Sequence, residues 1–395
     1  MQRQDFVDVL RAVALISMLT CHFPIYLSSG QGNDAMLYFM SNHLLGGDFG
    51  GSWFLFLSGL SQVLSASRRG GNAAPDASRA VVRGVAIFII GLLFLAVVQG
   101  YDEIWDWDVL TLIGAATIIL IPCRKAPSWL LLVGCSIIFL ITPWLRSFID
   151  IAPFYGGAFE NVAWISDYLP NFFVDPLKEY QGATGPLNNI IGFFLVGQFP
   201  VFPWIIFILI GYVVGRRVTQ NLLAADSPFI VIIGATFTFM GLLTAYAGSK
   251  KPQFSVANDY IVPLSFYPNS FSMVMLQTGV LLLLFITLWR IFDAKPAGKE
   301  APGIFLTYCR QISKYSFTIY VSHFVVIFVS LRAVQVITGK YYLRDLVNTP
   351  IAFALSVLLL VLYYPLLRAW DRAGGKYGME WLLSTLMSLQ GPRKL

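Results

Sequence analysis

Charge is what this chain has least of. Only 12% of its 395 residues are Asp, Glu, Lys or Arg, against 57% that are hydrophobic, whereas soluble domains average about 25% charged. That scarcity excludes an ordinary soluble domain and predicts an all-α polytopic membrane protein. Cysteine is scarce too. Cys21, Cys123, Cys135 and Cys309 share no C-x-x-C or comparable ligand spacing, so neither a disulfide framework nor a metal site is expected. Histidine is limited to His22, His43 and His323, which confines acid–base chemistry by imidazole to three positions. The chain shows no P-loop glycine motif, internal repeat or fused soluble domain. Its start departs from a cleavable signal because Asp5, Asp8 and Arg11 interrupt the basic-then-apolar order, so the first span is expected to stay attached.

What is present is a series of apolar runs at 6–27, 50–66, 82–99, 109–122, 129–147, 201–215, 229–247, 268–288, 315–334 and 350–368. At roughly 20 residues per crossing, these read as about ten transmembrane helices around a polar cavity, in a single domain covering 1–395. An even number puts both termini on one side. Lys and Arg concentrate there, which predicts cytoplasmic termini. The net charge of +6 then reports topology and contact with anionic lipid headgroups, with no reason to invoke nucleic acid. The tail 369–395 is amphipathic enough to lie on the cytoplasmic membrane face. The external connection 147–200 has the length of a lid or binding surface and is expected to form much of an acceptor site. Its end, NNIIGFFLVGQFPVFPW, is interrupted by Gly197, Pro200 and Pro203, which predicts a short half-inserted segment before the next span.

The first span carries the chemistry. Asp8, Arg11 and His22 interrupt an apolar segment in which each ionisable residue costs roughly 2.5 to 3.5 kcal/mol to insert, so such residues face a protein interior or a wet cavity. Helical periodicity places all three on one stripe, with Arg11 and His22 about 16 Å apart along the axis. That distance resembles the reach of a pantetheine arm between the phosphates and the thioester of coenzyme A. His22, near the external end, is the expected general base. Arg11, deep on the cytoplasmic side, is the expected phosphate ligand. Arg3 and Arg83 are its helpers, with Arg68 and Arg69 from the same basic loop as Arg83. His323 lies about 13 Å inside the membrane from Lys314 and is either a helix-to-helix hydrogen bond or a second catalytic group. On the external side, YDEIWDWD sets acids among aromatics, which suits interfacial anchoring and also a sugar. Asp108 and Trp107 are the candidates there, and Asp48 and Tyr267 complete the acceptor set.

The segments VDVLRAVAL (preceded by Arg3) and CHF, then SWFLFLSGL, DWDVL, FPVFPWIIFILIGYVVGRR, ISKYSFTIYVSHF and YYPLLRAW, resemble the multipass membrane acyltransferase superfamily. That group includes acyltransferase family 3 proteins, glucan succinyltransferases and heparan-glucosaminide N-acetyltransferase-like proteins. The resemblance covers nearly the whole chain and is strongest at Arg3, Asp8, Arg11 and His22, although Ala12 stands where Gly is usual. It implies transfer of an acyl group, acetyl first among them, from cytoplasmic acetyl-CoA or another acyl-CoA to a carbohydrate or lipid-linked sugar (glycolipid) on the other side of a bacterial inner membrane. In that group the matching histidine is regarded as catalytic and the matching arginines as donor-binding. FPVFPW leans towards the heparan-glucosaminide branch, in which His43 with Asp48 becomes a rival catalytic pair, while ISKYSFTIYVSHF leans towards family 3. A glycan or lipid transporter is the alternative class. It would more often show paired broken helices, whereas only 190–204 is broken here. Membrane lipids are the expected surroundings, and a homo-oligomer is compatible with this composition. Acetyl-CoA should raise the unfolding temperature of the purified protein, and the absence of any shift would count against an acyl-CoA enzyme.

Overall fold

In a computed structural model of the chain, the described residues are 3–68, 77–100, 104–155, 159–161, 169, 171–176, 185–294, 303–340 and 342–388. The helices are α1 (Asp5–Leu27), α2 (Ala35–Phe39), α3 (Gly47–Ser67), α4 (Ala77–Phe94), α5 (Val109–Cys123), α6 (Ser128–Arg146), α7 (Ala152–Tyr155) and α8 (Pro186–Ile191), followed by α9 (Val201–Thr219), α10 (Leu223–Ser249), α11 (Phe271–Phe292), α12 (Ile304–Lys314), α13 (Ser316–Thr338), α14 (Thr349–Arg372) and α15 (Met379–Ser388). Strands β1 (Phe159–Asn161) and β2 (Val174–Pro176) form one short antiparallel pair. Among the described residues, eight helices are long and apolar enough to cross a membrane: α1, α4 with the turn that extends it, α6, α9, α10, α11, α13 and α14. The protein is therefore an all-α polytopic membrane protein. The two other expected spans are also helical. Helix α5 is shorter, at 15 residues, and α3 opens on Gly-Asp-Phe-Gly-Gly before its apolar run.

By its contacts the chain divides into two compact units, one built from Leu55–Ile286 and the other from Gln2–Phe54 with Thr287–Leu395. In the first, Arg146 at the end of α6 is only 1% exposed. It donates to the carbonyls of Leu195 and Asn269 at 2.8 Å and of Phe202 at 3.4 Å. Hydrocarbon offers no water to satisfy broken backbone, so an irregular stretch at membrane depth needs such donors. The stretch it serves is the break the sequence predicts. Helix α8 runs into the π turn Gly192–Val196, and Phe202 keeps an extended backbone at the start of α9.

In the second unit α1 is enclosed by α12, α13 and α14. Phe23 and Leu27 at its far end pack with Ile327, Leu331 and Ala352. Arg344 donates its N–H to the Tyr26 carbonyl, and Leu346 and Val347 donate theirs to that of Leu27, satisfying backbone that a helix end leaves open. The near end is capped from afar. Gln4 offers no side-chain cap; instead Asp293, just past α11, accepts from the N–H of Phe6 at 2.7 Å and of Asp5 at 3.2 Å. Burial pushes the Asp293 carboxyl above its usual range, while those two N–H donors pull it back down. The tail from 369 does more than line the surface. Glu380, in the first turn of α15, accepts from the N–H of Phe317 at 2.7 Å and of Thr318 at 3.2 Å, capping the start of α13.

Because Asp293 supplies the cap that α1 lacks locally, Asp293→Ala should destabilise the protein by about 1 kcal/mol. Thermal unfolding in detergent would show this as a lower midpoint, and an unchanged midpoint would refute the distant cap.

Candidate active site

Two histidine pairs lie in the second unit, and each is built by a different local device. His43 sits in the π turn Met40–Leu44 that ends α2. Its Nδ1 lies 2.7 Å from Asp48 Oδ2, and both residues are buried, with 7% and 6% exposure. A ring nitrogen that close to a carboxylate donates its N–H, which puts the lone pair of the neutral ring on Nε2. Asp48 occupies the first turn of α3. Glycines let this turn approach α1. Gly46 has φ +108°, and a Cβ there would fall 2.6 Å from Ser17 Cβ. At Gly47 a Cβ would strike the Asn42 carbonyl and come within 2.9 Å of Cys21 Cβ, and at Gly50 it would lie 2.9 Å from Ser17 Oγ. The His43–Asp48 turn is thereby seated on α1 between Ser17 and Cys21, one residue short of His22.

His22 meets His323 from α13. Nδ1 of His22 is 2.9 Å from Nε2 of His323, and the rings are nearly coplanar at 7° with centroids 5.2 Å apart. Coplanar rings whose nitrogens touch are bonded edge to edge, which is a hydrogen bond in the ring plane and not a face-to-face stack. His323 Nδ1 is 3.1 Å from the Ile319 carbonyl, which only accepts, so Nδ1 carries the proton and Nε2 the lone pair. His22 must then donate from Nδ1, and its own lone pair is on Nε2. His323 is fully buried, whereas His22 is partly exposed. Phe324 and Tyr26 flank His22, with ring centroids at 4.7 and 6.1 Å.

At the N-terminal end of α1 the charged residues are woven into ion pairs. Asp8 accepts from Arg3 Nε at 2.5 Å and from Ser313 Oγ at 2.6 Å, and Arg11 donates to the same Ser313 Oγ at 2.9 Å. Asp5 takes both Nε and Nη2 of Arg310, at 2.8 and 2.9 Å, a bidentate fork. Arg3 and Arg11, which the sequence singled out for phosphate, are thus held around Asp8, with Arg3 about half exposed. Burial raises the nearby Cys309 thiol to about 11, so it is an inert thiol at neutral pH.

Sequence reasoning missed Ser313, Arg310, Asp5 and Asp293 as partners, since each acquires its role only through a contact across hundreds of residues. The remaining sequence candidates belong to the first unit. Asp108 caps α5, accepting from the Leu110 N–H at 2.9 Å. Trp107 is buried against Phe193, and Tyr267 packs edge-on to Phe266 and Phe199. Arg83 lies exposed on α4 and Arg68 follows α3. Arg69, most of the 147–200 loop centre and residues 101–103 of YDEIWDWD lie outside the described residues. Among the described residues no group of His, Cys, Asp and Glu is arranged to hold a metal.

Residues 3–247, which contain His22, His43 and Asp48, match the family described as heparan-alpha-glucosaminide N-acetyltransferase, catalytic. The chain belongs to this family. It is accordingly a membrane acetyltransferase in class. No match was found among curated proteins. Of the two branches the sequence suggested, the match falls on the heparan-glucosaminide one. Asp108, Arg83 and Arg68 also fall within the match, while His323 and Ser313 lie beyond it.

The hydrogen-bond pattern fixes a tautomer for each ring of the His22 pair. Nitrogen-15 NMR of ring-labelled protein should show His22 and His323 both protonated at Nδ1. A signal from His323 protonated at Nε2 would overturn this assignment.

Proposed function

We propose that the protein transfers an acetyl group from acetyl-CoA to the amino group of a sugar, with His43, oriented by Asp48, as the general base. The family implies the acetyl-CoA donor and the sugar acceptor. The observation that carries the choice of base is the 2.7 Å contact between His43 and Asp48. A buried carboxylate stabilises the imidazolium that forms when the ring takes a proton, and a neutral imidazole partner such as His323 does not. His22, which helical spacing singled out as the base, has no carboxylate partner among the described residues.

The donor enters from the cytoplasm, and its phosphates meet Arg11 and Arg3 at the N-terminal end of α1. Ser313 and Asp8 hold these side chains before the donor arrives, which lowers the ordering cost of binding. Its pantetheine arm then runs along α1 for about 16 Å, bringing the thioester to the level of His22 and the His43 turn. The acceptor comes from the extracytoplasmic side. The nitrogen lone pair attacks the acetyl carbon while His43 Nε2 takes the nitrogen's proton. The tetrahedral oxyanion then collapses and expels the coenzyme A thiolate.

A positioned base contributes about 10² to 10⁴ in rate, so His43→Ala should lower acetyl transfer by that order while acetyl-CoA still binds. Asp48→Asn should show a smaller loss of the same kind, because the amide keeps the ring's place without the charge. Initial rates with glucosamine as the acceptor and calorimetry with acetyl-CoA separate the two effects. Wild-type turnover in His43→Ala would sink the assignment of the base.

A further inference from the structure

We infer that Tyr377 and Trp381, on the tail that follows α14, form a stacking site for the adenine of the acetyl-CoA donor, with Arg372 and Lys376 beside them for the phosphate on its ribose. The inference rests on acetyl-CoA being the donor with its other phosphates at Arg11 and Arg3, and it assigns the nucleotide end of that ligand.

The tail is fastened on both sides of Tyr377. Asp371, near the end of α14, accepts from Lys314 Nζ and from the Tyr315 hydroxyl, the latter at 2.7 Å. The chain then reverses through Gly374 and Gly375, at φ +95° and +61°, and the indole N–H of Trp370 donates across the turn to the Lys376 carbonyl at 2.8 Å. Beyond Tyr377, Glu380 is held by the N–H groups at the start of α13. Between these fastenings Tyr377 is 79% exposed. Its backbone is left-handed, at φ +68°, a conformation that a bulky residue keeps only where its surroundings impose it. Its ring meets that of Trp381, with centroids 5.0 Å apart and planes at 51°. Two rings tilted in this way make an open wedge, and Tyr377 leaves one side of it uncovered.

An uncovered aromatic pair at a membrane boundary is ordinarily an interfacial anchor. Three features favour a nucleotide. An anchor works with any backbone conformation, whereas a base that stacks needs a ring held at a fixed angle, which the strained turn supplies. Charge is the second feature. Arg372 and Lys376 are exposed beside the pair and suit a phosphate, while the neighbouring acids are engaged, Asp371 by Lys314 and Tyr315 and Glu380 by the start of α13. Position is the third. Ser313, which holds Arg11, is four residues from Phe317, whose N–H Glu380 caps, so the junction of α12 and α13 carries both the phosphate ligands and the tail. A donor with its phosphates at Arg11 therefore has its adenine end beside Tyr377 while its pantetheine arm runs the other way, along α1. The tail lies beyond residues 3–247, which match the family, so this part of the donor site comes from outside the matched region.

The test separates the nucleotide from the rest of the donor. Calorimetry in detergent with coenzyme A is compared with 4′-phosphopantetheine, which keeps a phosphate and lacks the adenosine. Tyr377→Ala and Trp381→Ala should each weaken coenzyme A about tenfold, and Tyr377→Phe, which keeps the ring, should stay within about twofold of wild type. All three should bind 4′-phosphopantetheine as the wild type does. The double variant Arg372→Ala with Lys376→Ala should weaken coenzyme A and leave dephospho-coenzyme A, which has no phosphate on the ribose, unmoved. Unchanged coenzyme A affinity in Tyr377→Ala and Trp381→Ala, or an equal loss with 4′-phosphopantetheine, would overturn the stacking site and leave the pair as a membrane anchor. A wild type that binds neither ligand would instead remove the donor reading on which this one stands.

Discussion

A polar side chain on a membrane helix must find its partner on another helix, because the lipid offers none. In the second unit α1 carries much of this requirement, and the segment from Arg310 to His323 meets a large share of it. Arg310 and Ser313 on α12 serve Asp5, Asp8 and Arg11, and His323 on α13 serves His22. The partners follow each other in the same order on both sides, so the polar stripe of α1 and that of α12–α13 run in parallel and in register. Once Asp8 and His22 are fixed, sliding either helix by a turn would strand several charged or polar groups at once, each costing at least 1 to 3 kcal/mol when left unsatisfied. Register and site geometry therefore have a common cause.

The same requirement explains why remote residues cap local structure. Asp293 closes the start of α1, Glu380 closes the start of α13, and Arg146 answers the carbonyls of the broken stretch before α9. In water these backbone groups would be solvated in place. In a bilayer they recruit whichever side chain the fold brings within reach, and the tail after 369 is drawn into the structure for that reason.

The proposed function rests on the contrast between two imidazoles. One has a carboxylate in the first turn of a helix beside it and the other has a neutral ring. That difference in partner is what sets the two rings apart, because a carboxylate can offset a positive charge on its neighbour and a neutral ring cannot. The family match supports an acetyl transfer. The choice of His43 as the base is a proposal that rests on the carboxylate beside it.

How much of this was legible beforehand depends on the range of each physical cause. Helix periodicity and insertion cost are local, so the sequence pointed to the all-α membrane class, to ten apolar runs that are helical in the structure, and to the break near Pro200. Hydrogen-bond pairing is not local. His22 and His323 are 301 residues apart, and nothing in the periodicity of either helix specifies that they meet edge to edge. Nor does spacing reveal that Asp108 is spent on a helix cap, or that Arg3 and Arg11 are gathered around Asp8. His43 and Asp48 are only five residues apart, yet their contact depends on a π turn and on glycines whose value lies in how closely they let that turn approach α1. The sequence therefore determined which residues had to be satisfied, and the tertiary structure decided which partner satisfied each, because a buried polar group has many chemically adequate partners and only the packed chain selects one.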